Sequence, residues 1–283
     1  MSDWDWRDGH RSVSQLQNYS SCAHAWWLQR VVRVPQKTAG WFLQGTSVHA
    51  AVEAYELSER QMSLSEAEAV FDAAWAVDLA EMEQKQPDPK MWMVGGKKSR
   101  DTDLSQRWEK GRQQVADYVR GNPTDDEWQP AQLVPGEPAV EVPFELDLEG
   151  VKVVGFIDSV LEHRETGALR VRDVKTGSKL PDNPFQFATY KLAVEEITGF
   201  IPETGVYWMC KDGGDTKPYQ LARFSRDLVT AWYTEMDTAV KKEVFPGNPG
   251  SHCFTCTVRP YCHYDNPNPL PLPAINAGKA DVF

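Results

Sequence analysis

The chain has 283 residues, 41% hydrophobic and 25% charged, a globular composition that excludes wholesale disorder. No apolar run reaches the roughly 18 residues of a membrane span, and the acidic start Met1-Ser-Asp-Trp-Asp-Trp-Arg-Asp8 lacks the apolar core of a secretory signal. A cytoplasmic protein without a membrane partner is expected. The net charge of −11 argues at first against nucleic acid, whose phosphates are met by Lys and Arg. Its distribution qualifies that: Arg11, Arg30, Arg33 and Lys37 meet no acid before Glu53, whereas Glu53 to Gly150 holds 22 acids against 10 bases. An anion here would be met by local patches or by a bound cation.

Ser12 opens a helix in which Leu16, Tyr19, Cys22, Ala23, Trp26 and Trp27 recur at helical spacing, ending before Pro35. Further helices are expected from Gly40 to Tyr55, from Ser63 or Ser65 to Glu83, and from Leu104 to Arg120. Between the last two, Gln86 to Asp103 carries two prolines, Gly95-Gly96 and the bases Lys97, Lys98 and Arg100, and reads as a mobile basic loop. After a proline-rich connection from Asn122 to Pro138 the texture turns to alternation. Strands are expected over Ala139–Leu146, Val151–Leu161 and Leu169–Lys175, the last two joined by a turn at Glu165-Thr-Gly167. A helix from Pro184 to Gly199, a buried strand from Gly205 to Cys210, an edge strand from Tyr219 to Phe224 and a helix from Asp227 to Val244 follow. The tail from Asp265 is proline-rich and reads as extended. The class is α+β, a helical N-terminal part followed by a mixed central sheet flanked by helices.

Chemistry concentrates in the central strands. Asp173 and Lys175 stand two apart, so they share one side of their strand, and Asp158 ends the apolar run Val153–Ile157 on the strand before. Two carboxylates converging there repel one another and lose hydration unless a divalent cation lies between them. Carboxylate oxygens suit Mg²⁺ or Mn²⁺. A lysine one pleat away can position a water or offset charge building on a phosphate. Alone, such a strand end is an ordinary solvent-facing ion pair. It has company: His49 and Glu53 are i, i+4 on the second helix, and Gln186 and Tyr190 are i, i+4 on the helix after Lys175. A buried structural histidine is the other reading of His49.

Gly45-Thr-Ser-Val-His49, Gly155-Phe-Ile-Asp158, Asp173-Val-Lys175 and Gln186-Phe-Ala-Thr-Tyr190, with the upstream strand residue Glu141, resemble the ordered motifs of the PD-(D/E)XK nuclease superfamily, RecB-like branch. The resemblance spans roughly Ser12 to Tyr264. It implies an α/β/α restriction-endonuclease-like core and a Mg²⁺- or Mn²⁺-dependent DNA exonuclease. It implies that His49, Asp158, Asp173 and the Val174 carbonyl hold the ion and that Lys175 is the catalytic lysine. Gln186 and Tyr190 would support the site or its DNA contact, with Glu53 and Glu141 behind the ligands. The sequence departs from the commoner pattern in having Asp173 where glutamate is frequent, and the shorter arm should shift the metal.

Cys253-Phe-Thr-Cys256 and then Cys262 form a C-x2-C-x5-C run, with Cys22 far upstream and Cys210 in an apolar strand. Thiolates so spaced bind zinc or an iron–sulfur cluster, and His24, His252 and His263 keep a Cys/His zinc site open. An odd cysteine count disfavours a disulfide framework. One cysteine before the core and three after it resembles the iron–sulfur subgroup of RecB-like nucleases, the CRISPR-associated nuclease among them. That likeness implies a [4Fe–4S] cluster on Cys22, Cys253, Cys256 and Cys262, stapling the chain ends. The organisation expected is a helical region over 1–138, a nuclease core over 139–245, a cysteine closure over 246–264 and a tail over 265–283.

Trp92, between Met91 and Met93, is singled out for base stacking or strand separation; the other tryptophans read mostly as core. No G-x-x-x-x-G-K-[ST] run is present, so unwinding would come from a helicase partner, or the substrate is single-stranded or ended. The expectation is a phage or bacterial exonuclease of recombination, repair or CRISPR adaptation, with DNA and a helicase, recombinase or CRISPR-adaptation protein as partners. The rivals are a non-catalytic iron–sulfur DNA-binding scaffold and an endonuclease of the same chemistry.

Overall fold

In a computed structural model that describes residues 6–121, 125 and 127–273, α1 (Val13–Ser21) and α2 (Ala23–Arg30) lead to β1 (Thr38–Ala39). Then come α3 (Gly40–Leu57), α4 (Leu64–Lys85), β2 (Trp92–Met93) and α5 (Arg100–Val119). The strands β3 (Trp128–Pro130), β4 (Val140–Leu148), β5 (Val151–His163) and β6 (Leu169–Lys175) follow, then α6 (Phe185–Thr198). The chain continues through β7 (Thr204–Met209), β8 (Gly214–Asp215), β9 (Tyr219–Gln220) and α7 (Arg226–Lys241). Residues 122–124 and 126 of the expected connection, and 274–283 of the expected tail, lie outside the described residues.

Serines start the long helices. Ser12, Ser63, Ser99 and Ser225 accept the backbone N–H of Gln15, Glu66, Thr102 and Leu228, satisfying donors that a helix start leaves without intrahelical partners. At α4 the Glu66 carboxylate returns the bond to the Ser63 N–H (2.8 Å) and completes a capping box. The sheet runs β3-β5-β6-β7-β8, with β4 paired to β5 and β9 to β7. β5 and β6 are antiparallel and β6 and β7 parallel, so α6 is the crossover that parallel neighbours require.

Contacts divide the chain into two units. One comprises Thr38–Phe144 and Phe156–Phe224. In it α3, α4 and α5 pack together, and Leu43, Val48, Phe71 and Trp75 share an apolar cluster with Val174 of β6 and Trp208 of β7. The other comprises Met1–Lys37, Glu145–Gly155 and Ser225–Phe283. In it α1 packs on α7, and buried Arg11 pairs through Nε with Oδ1 of Asp237 at 2.9 Å. Ala25, Leu28, Val32, Val34 and Val258 form one apolar cluster in it. The C-terminal segment is tied down where the Lys37 N–H donates to the Thr257 carbonyl (2.8 Å) and the Asn248 amide to the Ser21 carbonyl (2.9 Å).

Four expectations need correction. The single helix from Ser12 is two helices, because Cys22 is extended (φ −161°, ψ 102°) and serves both as the end of α1 and the cap of α2. Apolar periodicity continues through the break and so conceals it. The fourth helix starts at Arg100 rather than Leu104, since the Ser99 cap sets the start. The stretch Gln86–Asp103 is not a free basic loop: Pro89–Met91 forms a 3₁₀ turn and β2 pairs in parallel with β1. There Trp92 is only 6% exposed and its indole N–H donates to the Gln86 carbonyl (2.9 Å), which removes it as a stacking surface. Lys98 pairs with Asp103 (2.7 Å) and Arg100 with Glu83 (2.8 Å) while lying over the Trp92 ring, so helix acids absorb two of the three bases. Finally, the edge strand expected to reach Phe224 contracts to Tyr219–Gln220. Among the described residues no helix is long and apolar enough to cross a membrane.

Candidate metal centre

The β5–β6 ladder pairs Ser159 with Arg172, so one step further Asp158 and Asp173 fall opposite one another. Asp158 Oδ2 accepts the Val174 backbone N–H (3.0 Å) and lies 3.4 Å from His49 Nδ1 of α3. Glu141, near the start of β4, joins them: one ligand atom each from His49, Glu141 and Asp158 lies within 4.8 Å of the others. Its φ of +47° is a left-handed conformation that a side chain opposes by about 1–3 kcal/mol, held here at a site. Burial first, then the charges of Asp158 and Glu53, push the Glu141 carboxyl up to about 7, with His49 opposing. The three residues line a cavity of about 10 Å³ together with Glu53, Glu56 and Val174. That is room for one water or one ion. Carboxyls pushed up by burial and by like charge are in the condition that a divalent cation relieves, and an imidazole with two carboxylates suits such an ion.

Beside this set, Lys175 Nζ lies 2.6 Å from Oδ2 of Asp173 and donates to Oε1 of Gln186 (3.0 Å). Gln186 Nε2 donates to Asp173 Oδ1 and to the Tyr190 hydroxyl oxygen (3.1 Å). An ammonium only donates and a carboxylate only accepts, so the amide has a single orientation that serves both. Asp173 is 1% exposed; burial and the Asp158 charge push its carboxyl up to about 7, against the pull of Lys175 and His49. Burial, Asp173 and Asp158 push the Tyr190 hydroxyl well above its ordinary value, so it stays protonated.

The residues singled out in the sequence share one neighbourhood, but Asp173, expected among the ligands, faces Lys175 and Gln186. Among the described residues, the three side chains within ligand distance of one another are His49, Glu141 and Asp158; Glu53 and Val174 lie on the cavity wall. Glu141 is placed differently from the expectation, level with His49 and Asp158 rather than behind them. Its backbone is left-handed there, a feature of which strand alternation carries no sign.

The sequence profile of the PD-(D/E)XK nuclease superfamily matches residues 10–263. The chain belongs to this superfamily. It is similar to the "Gene 69 protein" of Mycobacterium phage D29, 34% identical over 264 residues that cover 89% of this chain and 96% of that one. The "Gene 69 protein" of Mycobacterium phage L5 is 33% identical over 279 residues, covering 89% and 95%. Membership makes the chain a metal-dependent nuclease with DNA as its substrate, and the mixed sheet flanked by helices agrees with the fold of that superfamily.

The PD-(D/E)XK strands rest on a buried layer of paired charge that the sequence reading missed. Glu56, one turn beyond Glu53 on α3, accepts the Tyr118 hydroxyl (2.8 Å) and Nε of Arg60 (2.9 Å). Arg172, fully buried next to Asp173, pairs with Asp125 (2.7 Å) and Asp215 (3.0 Å). Arginine alternating with valine in Arg170-Val-Arg-Asp-Val174 was the available signal.

The cysteines of this PD-(D/E)XK chain separate cleanly. Cys22, Cys256 and Cys262 pack against the Leu28–Val258 cluster, and Cys253 is buried nearby with its sulfur accepting the Gly250 N–H (3.4 Å). The Cys256 thiol is pushed up by burial and then by Cys22, Cys262 and Cys253, so the four sulfurs share one neighbourhood. Cys210 lies instead in the α3–α5 core, its thiol pushed up to about 12 by burial. His24 sits edge-on to His263 (4.7 Å) and is pushed down to about 4 by burial and that neighbour.

Proposed function

We propose that this nuclease is a cytoplasmic exonuclease of phage or bacterial origin that digests single-stranded DNA or the ends of duplex DNA. Recombination, repair or CRISPR adaptation is the setting, with a helicase, recombinase or adaptation protein supplying unwound DNA. The observation that carries the catalytic reading is the meeting of His49, Glu141 and Asp158 beside a lysine clamped by Asp173 and Gln186. A scaffold gains nothing from forcing two carboxyls up to about 7 in a sheet. The phage origin of both relatives supports the setting, and the absence of a P-loop motif from the sequence supports an unwound or ended substrate.

His49, Asp158 and Glu141 would hold the Mg²⁺ or Mn²⁺, with Asp173 and the Val174 carbonyl as further ligands. When bound, the ion supplies Lewis acidity to the phosphodiester and lowers the pKa of a coordinated water. The chain supplies the rest. Lys175 offers its ammonium to a phosphate oxygen as negative charge builds there. Asp173 and Gln186 fix the direction of that ammonium, and the protonated Tyr190 hydroxyl keeps a donor for substrate or water while accepting from Gln186. Cys22, Cys253, Cys256 and Cys262 would hold a [4Fe–4S] cluster, a reading supported by their shared apolar pocket.

Incubation with end-labelled linear DNA and with covalently closed circles, with and without Mn²⁺, tests the proposal. Metal-dependent loss of linear DNA with intact circles is expected. Cut circles would establish an endonuclease, and no cutting of either would establish a scaffold.

A further inference from the structure

We propose that Phe156 is a stacking platform for an unpaired nucleobase, positioning a nucleotide beside the metal centre at Asp158; the choice of ligand rests on the nuclease reading above. On β5, Val153 and Ile157 are fully buried, whereas Phe156 between them is 59% exposed. It precedes Asp158 by two residues, so both side chains leave the same side of the strand, about 6.6 Å apart along it. A phosphodiester drawn to Lys175 and to an ion at Asp158 would bring a neighbouring base within reach of an open phenyl ring. A second ring repeats the relation on the helix side: Phe42 is 39% exposed and lies seven residues before His49, two turns along the same face of α3.

The charge of the chain favours this contact over phosphate binding. The net charge of −11 repels a phosphate backbone overall, and two of the three cations in Lys97–Arg100 are already paired internally rather than offered to it. Stacking supplies affinity without them and tolerates any base. It requires a free π-face, which a base inside a duplex lacks. Phe156 therefore selects single strands and frayed ends.

The test is equilibrium binding of the full chain to labelled oligo(dT) in EDTA, where cleavage cannot intervene, with an abasic oligonucleotide of equal length as the comparison. Phe156→Ala and Phe156→Leu are expected to lose about tenfold in affinity for oligo(dT), and Phe156→Tyr to bind as wild type does. The slope of affinity against salt stays unchanged, and all four proteins bind the abasic strand equally weakly. Wild-type affinity in Phe156→Leu, equal wild-type binding of abasic and oligo(dT) strands, or no binding by any protein overturns the proposal. The two readings fail separately. A protein that cuts no DNA with any ion but shows these binding differences loses the nuclease reading alone. One that cuts DNA while its Phe156 variants bind normally loses the stacking platform alone.

Discussion

At the scale of single residues, the centre is a balance of like charges held by one ammonium and one amide. Asp173→Ala and Lys175→Ala are each expected to lower kcat by about 10²–10³ or more, the loss typical of removing a group that stabilises transition-state charge. The far-ultraviolet circular dichroism should stay that of the wild type; retained activity in both variants would sink the assignment of the site. The raised carboxyls carry a second expectation, for pH. Unfolded, Glu141 and Asp173 titrate near 4; folded, they hold their protons up to about 7. Between those values the folded chain binds more protons than the unfolded one, so metal-free stability falls as pH rises from about 4 to 7. The melting temperature without metal should drop across that window, less steeply in Glu141→Gln. Mn²⁺ should raise it more at pH 7.5 than at pH 5, where protons compete for the same oxygens. Identical pH profiles for wild type and Glu141→Gln would contradict the placement of Glu141. The D-x-K pair and the i, i+4 partners were legible because period 2 and period 3.6 place side chains without tertiary knowledge. The placement of Glu141 level with His49 and Asp158 was not, since a single left-handed residue leaves no periodic trace.

At the scale of elements, the centre depends on how closely α6 lies on the sheet. Gly205 of β7 pairs with Val171 of β6, and a Cβ there would meet the Phe187 ring of α6 at 2.9 Å. In Gly205→Ala the Phe187 ring has to move, and a shift of α6 with it carries Gln186 away from Asp173 and Lys175. A loss of about 1–3 kcal/mol in denaturant unfolding is expected, with kcat falling more than KM rises. Gly214→Ala, where a Cβ meets nothing within 4 Å, is the control and should match wild type in both measurements. Unchanged kcat in Gly205→Ala would show that α6 does not set the position of Lys175. The elements around this contact were the legible ones: β5, β6 and α6 have uninterrupted periods bounded by turn residues. The unread elements were those made by partners distant in sequence. β3 is a strand only because Trp128–Pro130 pairs with Leu161–His163, and β2 only because it meets β1.

At the scale of the whole molecule, the contacts join the first 37 residues to the last fifty-odd in a single unit, and the cysteine quartet lies inside it. Little of this was legible in sequence, since pairing across such a separation leaves no local pattern; only the cysteines pointed to it. One of its apolar clusters, Ala25, Leu28, Val32, Val34 and Val258, packs directly against Cys22, Cys256 and Cys262. A cross-link on four sulfurs restricts the unfolded chain most where the closed loop is longest, and Cys22 and Cys253 are separated by more than two hundred residues. On the scale of long-loop cross-links, its removal should cost about 4–5 kcal/mol. Purified protein should be brown, with visible absorbance and about four irons per chain, as the proposed cluster requires. Cys256→Ser should be colourless and unfold at a lower temperature, whereas Cys210→Ser, at a thiol buried in the α3–α5 core, should keep its colour. A colourless wild-type protein carrying one zinc would replace the cluster with a tetrahedral site. Colour retained in Cys256→Ser would remove that sulfur from the ligand set.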